Sequence, residues 1–422
     1  MSLCQDEHAA LKREDLDQLK LERLQATLHR IDRKVAFYRK RFRAVNFDPD
    51  KFGDLGDLKR LPLTTEDDLS KAYPYEMFAT PLKDVIRIHS TTGKSKDPIV
   101  LGLTEADLTN SSRLLARIMR GIGLTPEDVF QITLNYSLSS GAFGFHDAAR
   151  ELGASTIPAS VGRTERQLKM LLDFGTSCLV ATPGYSLILL DKLKESRASL
   201  ARIRLKTILL TGEPWPQGIE EKLREGFRAE VFDLYGLSAV HGPGIAAQCS
   251  RHGGLHLQED MFHAEIVDPE NGQILPHGEW GELVLTTLTH EAVPLLRFRT
   301  GDRARFLPEE CPCGSSFRCL DRIPGRVDDV LICKGINISP ARLDQILQSL
   351  LGGGIKWRAE VQGQGPDQTF LLYIGITPEL FYDQMKKQRA LVDNLRRSLG
   401  QWLGITPQIM LVEPESLPGE EL

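Results

Sequence analysis

Hydroxyls, a glycine and two lysines crowd into Ser90-Thr91-Thr92-Gly93-Lys94-Ser95-Lys96, directly after the strand-like Val85–Ile88. Backbone N–H groups, hydroxyls and ammonium groups in one short loop suit a phosphate, and a polar surface turn would use the same residues. The upstream glycine of a Walker loop is missing, so a true P-loop is not expected. Two further segments follow apolar runs: Thr211-Gly212-Glu213-Pro214-Trp215 and Asp233-Leu234-Tyr235-Gly236-Leu237-Ser238. Polar clusters beyond the ends of parallel strands are where α/β sheets bind ligands. A third pair is Arg297-Phe298-Arg299-Thr300-Gly301-Asp302 and Gly325-Arg326-Val327-Asp328-Asp329. A carboxylate there suits ribose hydroxyls and an arginine suits phosphate.

Cys311-Pro312-Cys313-Gly314 carries different chemistry. Two thiols around a proline, with a glycine after the second, offer half of a tetrahedral metal site. Cys249 and His256, with Gly253-Gly254 as a turn between them, offer the other half. His252 and Cys319 are competing ligands. The expected ion is one structural Zn²⁺, because thiolates select it over hard cations and four protein ligands leave no water to activate.

These segments need a scaffold. The chain has 422 residues, enough for two to three domains. Short apolar runs at Asp128–Leu134, Cys178–Thr182, Lys206–Thr211 and Val231–Tyr235 read as buried strands. Helical patterns alternate with them at Thr104–Arg120, Thr164–Phe174 and Tyr185–Lys194. That alternation predicts a doubly wound α/β architecture. One long helix is expected over 8–45, which has no Gly or Pro. After about residue 255, short strands at Ala264–Val267, Glu282–Thr287 and Leu295–Arg299 separated by Asn271-Gly272 and His277-Gly278 predict a β-rich subdomain. The last hundred residues read as a small α+β module: helices Pro340–Leu350 and Phe381–Leu403, strands Arg358–Val361, Phe370–Ile376 and Gln408–Val412. The turn at Pro324–Asp328 divides a domain 1–326 from a domain 327–422.

Composition narrows the partners. Lys+Arg 52 against Asp+Glu 57 leaves a formal charge of −5, which gives no reason to expect nucleic acid. No apolar run is long enough for a membrane helix. No secretory signal opens the chain, and 7 unevenly spaced cysteines suit a reducing cytoplasm better than a disulfide scaffold.

Taken together, the order and spacing of these segments resemble the adenylate-forming (AMP-binding) superfamily, and within it the phenylacetate–coenzyme A ligase family. Tyr235-Gly236-Leu237-Ser238-Ala239-Val240-His241-Gly242-Pro243-Gly244 matches that family's YGLSEVMGPG. Thr286–Pro294, Arg297–Asp302, Asp321–Asp329 and Lys334–Pro340 continue the match, which covers roughly residues 20–418. The resemblance implies a large AMP-binding N-terminal domain and a small mobile C-terminal one. It implies that ATP and a carboxylic acid, here an aryl acid among the candidates, give an acyl-adenylate, from which coenzyme A displaces AMP. By matched position, Thr92 and Gly93 would touch phosphate. Gly212, Glu213 and Pro214 would line adenine and ribose, and Asp233, Tyr235, Gly236 and Ser238 would flank adenine and the α-phosphate. Asp302 would hold the ribose hydroxyls, Arg326 would lie near ribose or phosphate, and Asp328 would be the hinge. Tyr136, Phe143 and Gly144 would shape the acid pocket. A homodimer stays open.

Three departures fall on the chemistry. The family's SSGTTGKP loop has Lys96 and Asp97 where its second glycine and lysine stand. Ala239 replaces a glutamate that ligates Mg²⁺ in the superfamily, and alanine cannot ligate a cation. The chain ends at Leu422, about one residue before the expected adenylation lysine. Two alternatives follow: a degenerate homologue that binds nucleotide or acyl ligand without adenylating, and an adenylating enzyme with an acceptor other than coenzyme A.

Overall fold

The protein was examined as a computed structural model, which describes all residues except 1–7, 92–96, 197–202, 216–217, 329, 335, 353, 364–367, 376–384, 404, 414–416 and 418–422. Contacts divide the chain into one unit of residues 1–93 with 97–328 and a second that begins at Asp329.

An eight-stranded sheet organises the first unit. Its spatial order is Cys319–Leu320, Leu255–Leu257, Gly242–Gln248, Glu230–Leu237, Thr207–Leu210, Cys178–Ala181, Val129–Ile132 and Ser155–Ile157. The last five strands in that order pair in parallel, and the rest pair antiparallel. Glu230–Leu237 is therefore the strand at which the sheet changes character. The parallel strands are continuous apolar runs because both faces are covered. Cys178, Val180, Leu209, Phe232 and Leu234 join one core cluster. Their alternating neighbours Leu179, Ala181, Ile208, Leu210 and Val231 join another, under the helices Thr164–Asp173, Pro183–Glu195 and Ile219–Phe227.

The β-rich part is a three-stranded antiparallel sheet of Phe262–Val267, Gly281–Thr287 and Phe298–Ala304. The expected strand Leu295–Arg299 starts later than the sequence suggests. Arg297 adopts φ +46°, which breaks the extended run, and its guanidinium is held on Glu265 by two 2.9 Å hydrogen bonds. The expected single helix over 8–45 is two, Arg13–Lys34 and Ala36–Ala44. Val35 is extended, and Arg39 donates to the freed carbonyls of Asp32 at 2.7 Å and Arg33 at 2.8 Å. Those bonds satisfy a helix end that no glycine or proline announces.

The second unit has its own core of Leu343, Leu347, Phe370, Leu372, Ile374, Leu395 and Leu399. Helices Pro340–Leu351 and Met385–Leu403 accompany the sheet Trp357–Gln362, Thr369–Gly375 and Gln408–Val412. No helix among the described residues is long and apolar enough to cross a membrane.

Candidate active site

Leu210 and Asp233 are register partners, so the segments that follow them leave the parallel sheet edge side by side. The first turns at Gly212, whose φ of +89° favours glycine. Glu213 then points back, and its Oε1 accepts the Gly184 N–H at 2.6 Å in the first turn of Pro183–Glu195. A carboxylate is favoured at that positive helix end. Pro214 and Trp215 follow, and the Arg322 guanidinium lies 3.7 Å above the Trp215 ring.

Asp233 is buried, and its amide donates to Gln248 at 2.8 Å. Burial pushes its carboxyl up to about 6, with Arg322 and Trp215 opposing. After Tyr235 the strand slips register by a bulge. A side chain on Gly236 would meet the Gly242 carbonyl oxygen at 2.2 Å, so the bulge requires glycine. Ser238 sits half-buried on the turn closed by the Val240 N–H on the Leu237 carbonyl at 2.9 Å.

Four of the expected site residues form one polar array. The Tyr235 hydroxyl donates to Asp302 Oδ2 at 2.6 Å, and Arg326 donates to Asp302 Oδ1 at 2.9 Å. Arg326 also grips Asp328 through two 2.9 Å bonds and reaches the Thr300 carbonyl at 3.0 Å. Gly301 makes this possible: a Cβ there would stand 2.2 Å from the guanidinium. Backbone bonds from Val327 to Gly301 at 2.8 Å and from Arg303 to Gly325 at 2.9 Å tie the two segments together. Burial, then Asp302, pushes the Tyr235 phenol well above its usual range, so it stays a donor. Each Asp302 oxygen carries more than one acceptor site, so the carboxylate can still take a pair of ligand hydroxyls.

A second cluster gathers around the helix Gly141–Leu152. Phe143 meets Tyr136 edge-on at 5.2 Å and His89 at 5.8 Å, with Arg87 over its ring at 5.3 Å. The Tyr136 hydroxyl and His146 Nδ1 are 3.3 Å apart. Gly144 lets the helix close on the turn that follows Tyr235: a Cβ there would stand 2.8 Å from Pro243. Pro243 is paired with Gly236, so the aromatic cluster is coupled to the Tyr235 strand through one proline. His89 and His146 join the cluster beside the residues that the sequence points to. His89 lies in the strand Arg87–Thr91 and His146 in the second turn of Gly141–Leu152, and no local spacing links the two.

Thr92 and Gly93 lie outside the described residues, as do Lys94 and Lys96. Their flanks, Arg87–Thr91 and Ile99–Leu103, pair antiparallel. Ala239 is buried and lines a small, partly open cavity of about 10 Å³ with Leu69, Met77, Ile99 and Val293. Among the described residues, the side chains that line it offer Mg²⁺ no ligand. The structure does bring Cys249, His256, Cys311 and Cys313 together, with their ligand atoms all within 4.8 Å of one another.

Comparison with known proteins shows the family and the fold. The AMP-binding enzyme family matches residues 91–288, and the AMP-binding enzyme C-terminal domain matches residues 335–422. The phenylacetate-coenzyme A ligase of Escherichia coli (strain K12) is 34% identical over 410 residues, covering 97% of this chain and 93% of its own. The phenylacetate-coenzyme A ligase of Thermus thermophilus is 33% identical, covering 99% of this chain and 97% of its own. A solved 2-hydroxyisobutyryl-CoA ligase, in complex with 2-HIB-AMP and CoA, shares the fold with a TM-score of 0.92 at 24% identity, over 98% of this chain and 90% of that one. Identity of 33–34% over 97–99% of this chain means that the chain belongs to the phenylacetate–coenzyme A ligase family of AMP-binding enzymes.

Proposed function

We propose that this AMP-forming acid–thiol ligase activates an aromatic carboxylic acid and passes the acyl group to coenzyme A. In the first half-reaction a carboxylate oxygen attacks the α-phosphorus of ATP, and pyrophosphate leaves. In the second the thiolate of coenzyme A attacks the acyl carbon, the thioester bond forms, and AMP leaves with the electron pair of the broken C–O bond. The chain supplies position and charge rather than a covalent partner.

The observation that carries the reading is the Tyr235–Asp302–Arg326 array beside two strand-end turns. Asp302 is the acceptor for ribose hydroxyls, preset by a phenol and a guanidinium that cannot rotate away. Arg326 is the one cation of the array, and Asp328 keeps it in place. Gly212, Glu213, Pro214, Asp233, Gly236 and Ser238 give the adenine and α-phosphate walls. Tyr136 and Phe143 present ring edges and a hydroxyl, which favours an aryl acid over a short aliphatic one. Mg²⁺ enters as the counter-ion of the triphosphate, since Ala239 cannot hold it. A cytoplasmic location, where ATP and coenzyme A are supplied, suits the free thiols.

The test is pyrophosphate release and thioester formation over a panel of aryl, arylalkyl and short aliphatic acids, with calorimetry for ATP and AMP. Thioester formed best with an aryl acid is expected. The apolar surround of Ala239 favours a second reading, a homologue that binds nucleotide without adenylating. Nucleotide binding with no pyrophosphate release on any acid selects that second reading. Pyrophosphate release without a coenzyme A thioester selects another acceptor.

A further inference from the structure

We infer that one structural zinc ion is held by Cys249 Sγ, His256 Nε2, Cys311 Sγ and Cys313 Sγ, at the edge of the large sheet. Bonds of about 2.3 Å to sulfur and about 2.0–2.1 Å to nitrogen give tetrahedral S···S and S···N edges of about 3.8 Å and about 3.6 Å. Cys249 Sγ and Cys311 Sγ are 3.6 Å apart, and Cys313 Sγ and His256 Nε2 are 3.5 Å apart. Two opposite edges of the tetrahedron are thus already at length, with all four atoms within 4.8 Å of one another.

The surroundings orient each ligand. His256 is fully buried, and its Nδ1 lies 3.2 Å from the Phe317 carbonyl oxygen. A proton on Nδ1 donated to that carbonyl leaves the Nε2 lone pair facing Cys313. The Arg251 N–H points at Cys249 Sγ at 3.4 Å, as suits a thiolate. Gly253 lets the turn close over the site, because a Cβ there would stand 2.9 Å from Cys311 Sγ. Gly314, at φ +82°, turns the chain after Cys313.

Of the two competitors, His252 is turned to other partners, whereas Cys319 packs against the same thiols but is not in the group of four ligand atoms within 4.8 Å of one another. His252 stacks on Phe232 at 5.0 Å and faces Glu220 at 3.4 Å. Cys319 lies 3.5 Å from His256 Nδ1, the ring nitrogen that does not face Cys313. Three thiolates and one imidazole satisfy the ion and select zinc over hard cations.

The location gives the ion a task. Cys249 ends the strand Gly242–Gln248, and the preceding Gln248 holds the Asp233 amide. His256 is on the next strand, and Cys311 and Cys313 are on the loop that returns to pair beside it through Cys319. The ion therefore staples this loop to the antiparallel half of the sheet. The inference is independent of the ligase reading, and its readout is metal content rather than activity.

The full-length chain, purified under reducing conditions without added metal, should carry one zinc by elemental analysis. Zinc near zero with all thiols reduced, or iron in its place, overturns the inference. Cys311→Ser with Cys313→Ser should lose the ion, whereas Cys319→Ser and His252→Ala should keep it. If the double variant does not fold, the wild-type chain supplies the answer: titration with a mercurial thiol reagent should release one zinc per chain. Cobalt exchanged into the site should show thiolate charge-transfer bands and tetrahedral d–d bands. Octahedral cobalt spectra, or zinc kept by His256→Ala and lost by Cys319→Ser, overturn the ligand set.

Discussion

The Tyr235 hydroxyl donates to Asp302 at 2.6 Å across 67 residues of sequence. The bond joins Glu230–Leu237, where the large sheet turns antiparallel, to Phe298–Ala304 of the three-stranded sheet. A neutral phenol and a charged guanidinium share one carboxylate, whose orientation is therefore fixed.

Asp302→Ala is expected to weaken AMP and ATP binding by about 1–3 kcal/mol, the loss typical of a buried charged hydrogen bond. Calorimetric titration measures it. The same substitution strands the Arg326 charge on Asp328 alone, so the midpoint of thermal unfolding should fall as well. Tyr235→Phe keeps the ring and the Arg326 bond, and should cost less in both measurements. Titration curves unchanged in Asp302→Ala would remove Asp302 from the nucleotide site.

Much of this site is legible in the sequence because its segments follow buried strands. Continuous apolar runs such as Cys178–Ala181 announce parallel strands covered on both faces, and the polar residues after them fall at one sheet edge. The break at Val35 is not legible, since the side chain that caps it, Arg39, looks like any exposed cation in a charged helix. The early end to the expected strand at Leu295 is also hidden. A positive φ at Arg297 persists only because Glu265, 32 residues earlier, neutralises a buried guanidinium. Long-range partners of this kind leave no local spacing to read.

Asp233 should make stability depend on pH in an unusual direction. Its folded value of about 6 lies above the ordinary 3.8, so the folded state binds this proton more tightly than the unfolded chain does. Its contribution is fully present below about pH 4 and is lost as pH rises through about 6. The shift of about two units corresponds to at most about 3 kcal/mol. Asp233→Asn removes the titration. Its stability relative to the wild type should therefore improve between pH 4 and pH 7, as read by denaturant unfolding at both. Parallel pH profiles for the two proteins would mean that the Asp233 carboxyl titrates in the fold as it does in the unfolded chain.

Ala239→Glu places a carboxylate against Leu69, Met77, Ile99 and Val293. An unpaired charge there is costly, and about 1–3 kcal/mol of stability should be lost without ligand. MgATP should return more stability to the variant than to the wild type, because a bound cation pairs the new carboxylate. If adenylation in the wild type is limited by this position, pyrophosphate release should rise by up to ~10²-fold. Thermal midpoints with and without MgATP, beside a pyrophosphate assay, separate the two effects.

Phe143→Ala tests the acid pocket. The ring meets Tyr136 edge-on at 5.2 Å and also carries Arg87. Aromatic pairs of this geometry are worth about 0.5–1.5 kcal/mol beyond area. The KM for an aryl acid should rise roughly 2–10-fold, and that for acetate much less. An equal rise for both acids would point to a general loosening of the helix Gly141–Leu152.

The zinc loop has a second neighbour, the N-terminal helix, and stripping the ion should be felt there. Phe317 packs with Ala9, Leu11 and Leu16, and the Ser316 N–H donates to the Ala9 carbonyl at 3.0 Å. Arg318 and its amide reach the fully buried Glu259, which also accepts Lys20 at 2.9 Å and Arg13 at 2.8 Å. Burial pushes the Glu259 carboxyl up, but Lys20 and Arg318 outweigh it and hold it well below the usual carboxylate range. Residues 311–319 thus connect the Cys/His cluster to the docking of residues 8–24. Removal of zinc by a strong chelator under reducing conditions should raise amide exchange across residues 8–24 and 311–319. Exchange in the strand Thr369–Gly375 of the second unit, which has its own core, should stay as it was. A chelated chain that exchanges faster everywhere has unfolded globally. One that changes nowhere near residues 8–24 has lost an ion that did not brace this helix.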